Sequence, residues 1–341
     1  MRHTGLLIAI TLAATLAVPI LLGGNDALWQ TLHFSVDGYL AIFVVIVTSW
    51  FARAVKLHML LHRLQVHPRF TRSLAISLAT DFAFISTPGG VGGYAASVYY
   101  LRRAGTSVSG AATITAADQG LDLLFFVVVL PVAGIALIWS DLPQTLAILG
   151  FASSAGMIAL ALGALLARRK LWAWLFGANT IGARWPRLRR KQQALREFLM
   201  SLRTNASLLL AGGPAFLCGV FALTALQWLT RYGVLWLVLL LLGHRVPFAL
   251  ILLMQSLVLH AALWTGVPAG GGGAELGLSA TLATWVPATG IATALLLWRM
   301  ATLYICLIAG AIAIAVLARR PRAQSIQLHI AQTLPVKDGT H

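Results

Sequence analysis

Six segments of this chain, roughly 5–24, 38–62, 110–139, 144–167, 214–243 and 289–318, run for about twenty residues or more with almost no charge. Each is long enough to cross a hydrocarbon core of about 30 Å as a helix of about 20 residues. In lipid no water is at hand to satisfy a peptide group, so a spanning segment of this length has to be helical. A composition of 59% hydrophobic and 10% charged residues, with mean hydropathy +0.85, excludes an ordinary water-soluble domain. The expected fold class is an all-α polytopic membrane protein. The net charge of +16 would point to nucleic acid in a soluble chain. Here Lys and Arg cluster between apolar segments, where they set orientation and attract anionic headgroups, so the expected partners are membrane lipids and not nucleic acid. Cys218 and Cys306 both fall in apolar segments and form no disulfide framework or metal spacing.

Two further apolar stretches are interrupted. Segments 73–87 and 94–101 flank STPGGVGG, and 249–265 and 274–285 flank GVPAGGGG. Each piece is shorter than the ~20 residues a span needs, and a helix broken at membrane depth survives where its freed backbone faces protein or a wet cavity. Each pair therefore reads as a re-entrant helical hairpin with a Pro/Gly-rich tip, which gives about six spans plus two hairpins. With the N-terminus cytoplasmic, segment 25–37 lies outside and has no Lys or Arg. Arg63, Arg69, Arg72, Arg102 and Arg103 return inside with the ten basic residues of 168–203, and Arg245 alone violates the positive-inside bias. Eight full crossings would keep the same parity. The reading is a single integral-membrane domain, 1–318, with a basic cytoplasmic loop 168–206 and a cytoplasmic tail 319–341. The setting is an inner (plasma) membrane with both termini cytoplasmic. The first apolar run is read as an uncleaved span, because Gly23-Gly24-Asn25 is a poor cleavage site. Residues 188–205 place Leu188, Leu195, Phe198, Leu199 and Leu202 on one side at helical spacing, as an interfacial helix does.

Pro88 and Pro268 stand 180 positions apart, and at that offset Gly90, Gly92 and Gly93 meet Gly270, Gly272 and Gly273. Span 38–62 falls on 218–242, and each long span carries an arginine past its midpoint, Arg53 and Arg231. Repeat 1, about 5–140, and repeat 2, about 144–318, thus share one order: a span, a long span, a hairpin and a final span. By the orientation above they thread the membrane in opposite senses, the organisation of many secondary transporters. Glycine lets backbones approach closely at the tips, where N–H groups can face an anionic ligand.

An ionisable residue inside a spanning helix costs about 2.5–3.5 kcal/mol on insertion scales, so it usually faces protein or water and marks a pathway. The candidates are Arg53, Asp81, Asp118, Asp122, Arg231, Glu275 and Arg299, together with the tips Pro88, Gly89, Gly90, Gly92, Gly93, Pro268, Gly270, Gly271, Gly272 and Gly273. Asp118 and Asp122 share one helical face. Lys56 stands closer to the interface, where its long stem suits it to snorkel. Glu275, directly after the second glycine cluster, and Arg299, mid-span, are the leading functional residues. PGGVGG lacks the Gly-Lys-Ser/Thr of a nucleotide loop. His58 and His62 share a face without an accompanying acid, and no cofactor or metal is expected.

STPGGVGGYAASVYYLRRAG followed by AADQGLDLL, then VPAGGGGAELGLSATL followed by LLLWRMATL, resembles the flippase-like membrane region of lysylphosphatidylglycerol synthetase/flippase proteins. The likeness runs from about residue 5 to 318. It matches the family's second-hairpin glutamate to Glu275 and its following arginine to Arg299. Where the family usually shows Asp-Arg and then Asp, this chain has Asp118, Gln119 and Asp122. The resemblance implies movement of an anionic or modified phospholipid, or another amphiphile, between leaflets. It does not imply lipid synthesis, so the chain is expected not to be an enzyme. The alternative is a non-transporting scaffold for a lipid- or glycan-modifying enzyme, docking through 168–206; a homo-oligomer fits either reading. A metal pair at Asp118 and Asp122 is the weakest reading, since no further ligands stand nearby.

Overall fold

The computed structural model describes residues 2–139, 144–176 and 186–319. The tail 320–341 and part of the basic loop 168–206 lie outside the described residues. Within them the chain is helical, with no strand. Its helices are α1 (Arg2–Leu32), α2 (Val36–Arg63), α3 (Phe70–Ser86), α4 (Val91–Arg103), α5 (Val108–Ile138) and α6 (Gln144–Phe176). They continue as α7 (Pro186–Leu210), α8 (Gly213–Leu241), α9 (Phe248–Trp264), α10 (Gly273–Leu282), α11 (Ala288–Arg299) and α12 (Ile305–Ala318). Short 3-10 turns at Pro88–Gly90 and Pro268–Gly270 join α3 to α4 and α9 to α10, and a π-helical segment, Met300–Tyr304, joins α11 to α12.

Five stretches among the described residues are long and apolar enough to cross a membrane: Leu12–Leu32, Val36–Arg63, Val108–Ile138, Gly213–Leu241 and Ala288–Ala318. The sixth expected span, 144–167, is helical within α6, but its apolar described stretch, Ile148–Gly163, is shorter. One boundary is corrected. The apolar pattern predicts a first span over 5–24, with 25–37 as an outer loop. Instead the chain kinks at Gly24 (φ 58°, ψ −152°) and continues as helix to Leu32. Glycine is the residue that adopts this backbone without steric cost. Beyond the kink, packing holds the helix: Ala27 is buried with Ala292 and Leu296, and Thr293 donates to the Gln30 side-chain oxygen at 3.0 Å.

The interrupted segments form two pairs of short helices. Helices α3 and α4 have 17 and 13 residues, and α9 and α10 have 17 and 10, against the ~20 a crossing needs. At the first tip, Gly93 lies so close to the Phe84 ring that a Cβ would collide with it, so the two arms of the pair meet there.

Packing joins the halves of the chain. Helix α2 lies along α8, α1 along α11, α6 along α5, and α12 along α3. The larger core includes Ile46, Phe126, Leu235, Leu253, Leu278 and Leu295, from α2, α5, α8, α9, α10 and α11. A second cluster, with Leu60, Leu61, Ile76, Leu101 and Ile114, closes one end. Arg63, Arg72 and Arg103 gather at that end. The Arg63 Nε donates to the Leu208 carbonyl, Arg72 to the Arg103 carbonyl, and the Asn205 amide to Ser109 Oγ. The exposed tryptophans Trp29, Trp139 and Trp285 stand towards the opposite end, where aromatic anchors suit a membrane interface. Leu195 and Met200 on α7 are exposed, whereas its C-terminal turn docks on α2 and α5.

Candidate functional site

Four of the chain's nine acids and four of its bases form two buried ionic groups. In the first, Arg53 on α2 is bonded to Asp81 on α3 and reaches Asp118 on α5 at 3.3 Å. One helical turn further along α2, Lys56 contacts Asp118 at 2.6 Å and Asp122 at 3.3 Å. From α8, Arg231 approaches Asp81 at 3.6 Å, and the Trp228 indole donates to Asp122 at 2.9 Å. Three cations thus face three carboxylates drawn from four helices. A lone charge here would bear a desolvation cost of several kcal/mol, so pairing is what makes burial tolerable.

The second group is smaller and more enclosed. Arg299, the last residue of α11, is bonded to Glu275, which is 0% exposed in the first turn of α10. The Arg299 Nη1 also reaches the Ala269 carbonyl at 3.4 Å, and its guanidinium lies 4.5 Å from the centroid of the Trp298 ring. One oxygen of Glu275, Oε2, and one nitrogen of Arg299, Nη2, are buried with no hydrogen-bond partner. Each could accept a polar group of opposite character. The π-helical segment begins immediately after Arg299; such local widening of a helix often occurs at functional positions.

The two turns between these groups lie against each other. Pro88–Gly90 turns through two left-handed residues, Gly89 (φ 58°) and Gly90 (φ 71°). Pro268–Gly270 does the same through Ala269 (φ 53°) and Gly270 (φ 65°). They differ beyond that point, since α4 begins at Val91 whereas Gly271 and Gly272 stay non-helical and α10 begins at Gly273. The expectation that the tip N–H groups face a ligand is not met by four of them. Gly90 N donates to Thr87 O, Gly92 N to Thr87 Oγ1, Gly270 N to Val267 O and Gly271 N to Pro268 O. Pro88 is exposed, whereas Gly90, Gly93, Pro268, Gly270 and Gly272 are buried.

Arg53, Asp81, Asp118, Asp122 and Arg231 are therefore brought together, and Glu275 and Arg299 form their own pair. No ion pair joins the two groups among the described residues. The snorkelling expected of Lys56 does not occur: its side chain is fully buried, because two carboxylates wait inside. Lys56 and Trp228 were the residues missed. Lys56 lies three positions after Arg53 and Trp228 three before Arg231, the spacing that puts side chains on one helical face. Gln119, standing where the resemblance leads one to expect arginine, accepts from the Tyr94 hydroxyl at 3.3 Å. His58 contacts Ser73 Oγ at 3.0 Å and stacks near His62. Among the described residues no group of three or more His, Cys, Asp or Glu could hold a metal ion.

Comparison with known proteins agrees with this helical membrane architecture. A "UPF0104 membrane protein" of Archaeoglobus fulgidus is 23% identical over 289 residues, covering 80% of this chain and 84% of that protein. The family model described as "Lysylphosphatidylglycerol synthase TM region" matches residues 5–310. A match over nearly the whole chain makes this multi-pass membrane protein a member of the lysylphosphatidylglycerol synthase transmembrane-region family.

Proposed function

We propose that this chain is a lipid transporter of flippase type, moving a phospholipid (anionic or aminoacylated) or a similar amphiphile between leaflets without a chemical step. The observation that carries the reading is the meeting of the two Pro/Gly turns, each beside helices that hold a buried ionic group. We read the halves as inverted repeats and the two short helix pairs as re-entrant hairpins. The packing supports this through its exchanged partners. The first span of each half, α1 or α6, lies on the last span of the other half, α11 or α5. Likewise α12 packs on the first hairpin and α5 on the second.

The ionic groups suit a passing headgroup. At rest Arg53 and Arg231 share Asp81. A phosphate entering between the halves would take the place of that carboxylate, so the cations exchange one anion for another and are never left bare. Glu275 Oε2 and Arg299 Nη2 offer one acceptor and one donor to a headgroup carrying both signs of charge. Acyl chains would remain in the bilayer. The basic end is taken as cytoplasmic, with both termini there, in the plasma membrane.

The test is leaflet exchange of labelled phosphatidylglycerol and its aminoacylated forms in proteoliposomes. Exchange above that of empty liposomes, lost on Arg53→Gln and on Glu275→Gln in folded protein, is the expected result. Exchange no faster than in empty liposomes across a broad lipid panel overturns the proposal. Capture of a lipid- or glycan-modifying enzyme that depends on residues 188–205, with exchange absent, would mark a scaffold instead.

A further inference from the structure

Outside the ionic groups, the structure holds an open groove of about 780 Å³ along α4. We infer that this groove is a resting site for one anionic phospholipid, with its phosphodiester at Arg102, Arg103 and Thr106 and an acyl chain along Tyr94, Ala95 and Val98. The inference deepens the transport reading and rests on it, since it names where a lipid waits beside the first hairpin.

Positions 94, 95, 98, 102 and 103 recur at the spacing of one helical face, so the groove runs along the axis of α4. From Tyr94 to Arg102 is about 12 Å at 1.5 Å per residue, enough to separate an apolar portion from a charged end. The apolar portion is open. Tyr94 and Tyr99 are 44% and 54% exposed, and Ala95 is also exposed. Tyr94 is held by the Phe84 ring at 5.0 Å and by its hydroxyl bond to Gln119. At the charged end, Arg103 reaches the Tyr99 hydroxyl at 3.4 Å, while its own carbonyl accepts from Arg72.

Two observations point to a bound anion. The buried bases Arg53, Lys56, Arg231 and Arg299 each have a carboxylate, yet neither Arg102 nor Arg103 forms an ion pair among the described residues. Independently, Thr106 is only 9% exposed and lines the groove, and its Oγ1 is buried with no hydrogen-bond partner. An orphaned buried hydroxyl costs about 1–3 kcal/mol, and a phosphate oxygen between it and the arginines would remove that cost. Arginines in a last turn also suit the helix dipole. The dipole does not account for the unpaired threonine, nor for an apolar trough leading to it.

Native mass spectrometry of the full chain, released from bilayers of mixed phosphatidylglycerol and phosphatidylcholine, tests the site. Wild type is expected to retain phosphatidylglycerol preferentially. The Arg102→Gln/Arg103→Gln pair should weaken retention about tenfold or more, as loss of charge-assisted hydrogen bonds does. Thr106→Val should weaken it while leaving the melting temperature unchanged or higher, because the hydroxyl it removes has no protein partner. Ala95→Trp should weaken it by filling the trough without changing charge. Arg69→Gln/Arg319→Gln removes equal charge from the same end and should retain lipid like wild type. Equal loss in both arginine pairs, or normal retention in Thr106→Val and Ala95→Trp, overturns the groove. If retention follows this pattern but no lipid exchanges, the transport reading falls and the groove stands. If exchange persists without the pattern, the groove falls alone.

Discussion

Ala269 is the one residue of the two paired turns that adopts a left-handed backbone with a side chain attached. That conformation costs an L-residue roughly 1–2 kcal/mol. It survives because its carbonyl meets Arg299 and its turn is packed against the other turn. Ala269→Gly is therefore expected to raise stability by about 1 kcal/mol, read as a higher melting temperature in detergent. The opposite holds for the Glu275–Arg299 pair. Glu275→Gln leaves a buried guanidinium without a counter-ion and should destabilise by about 3 kcal/mol or more. Adding Arg299→Met removes the stranded charge and should recover at least half of that loss in a thermal double-mutant cycle. Additive losses would show that the two side chains do not act as a pair. Both predictions concern neighbours that no sequence interval reveals.

At the scale of elements, the helix pair α3–α4 depends on close approach at its tip. Gly93→Val would drive a branched side chain into Phe84 and should splay the arms apart. A Phe84→Ala change in the same chain should restore most of the lost melting temperature, and if it does not, steric contact at the tip is not what holds the pair. Helix α2 carries Arg53 and Lys56 on one face, and both charges turn inward because α3 and α5 supply carboxylates at matching heights. Lys56→Met should therefore destabilise by about 3 kcal/mol, since Asp118 would keep only Arg53 and Asp122 would lose its one ion-pair partner among the described residues. If Lys56 snorkelled, the same change would be nearly neutral in a melting experiment. The Trp228 indole gives Asp122 a second support from α8. The group therefore ties the two long helices to one another as well as to α3 and α5.

The whole molecule is polarised along the helix axes, with basic loops at one end and exposed tryptophans towards the other. Cysteines introduced at Arg69 and at Trp29, in a chain with Cys218 and Cys306 replaced by serine, should react with a membrane-impermeant maleimide from opposite faces of sealed vesicles. Labelling of both from one face would overturn the proposed orientation. The residue pattern alone dictated the helical membrane class, because long uncharged runs can satisfy their backbones in lipid only as helices. It also determined the boundaries of α2, α5 and α8 to within a few residues, the two Pro/Gly interruptions, and which buried charges deserved notice. It did not determine the continuation of α1 past Gly24, which a contact with α11 sustains, or the depth of Lys56. Nor did it determine the division of the charges into two groups. Those outcomes depend on which helices lie side by side, and lipid is equally hospitable to every apolar face. Choice among neighbours was left to small-residue contacts and ion pairs between segments as distant as those of Asp81 and Arg231, and only the assembled bundle brings those together.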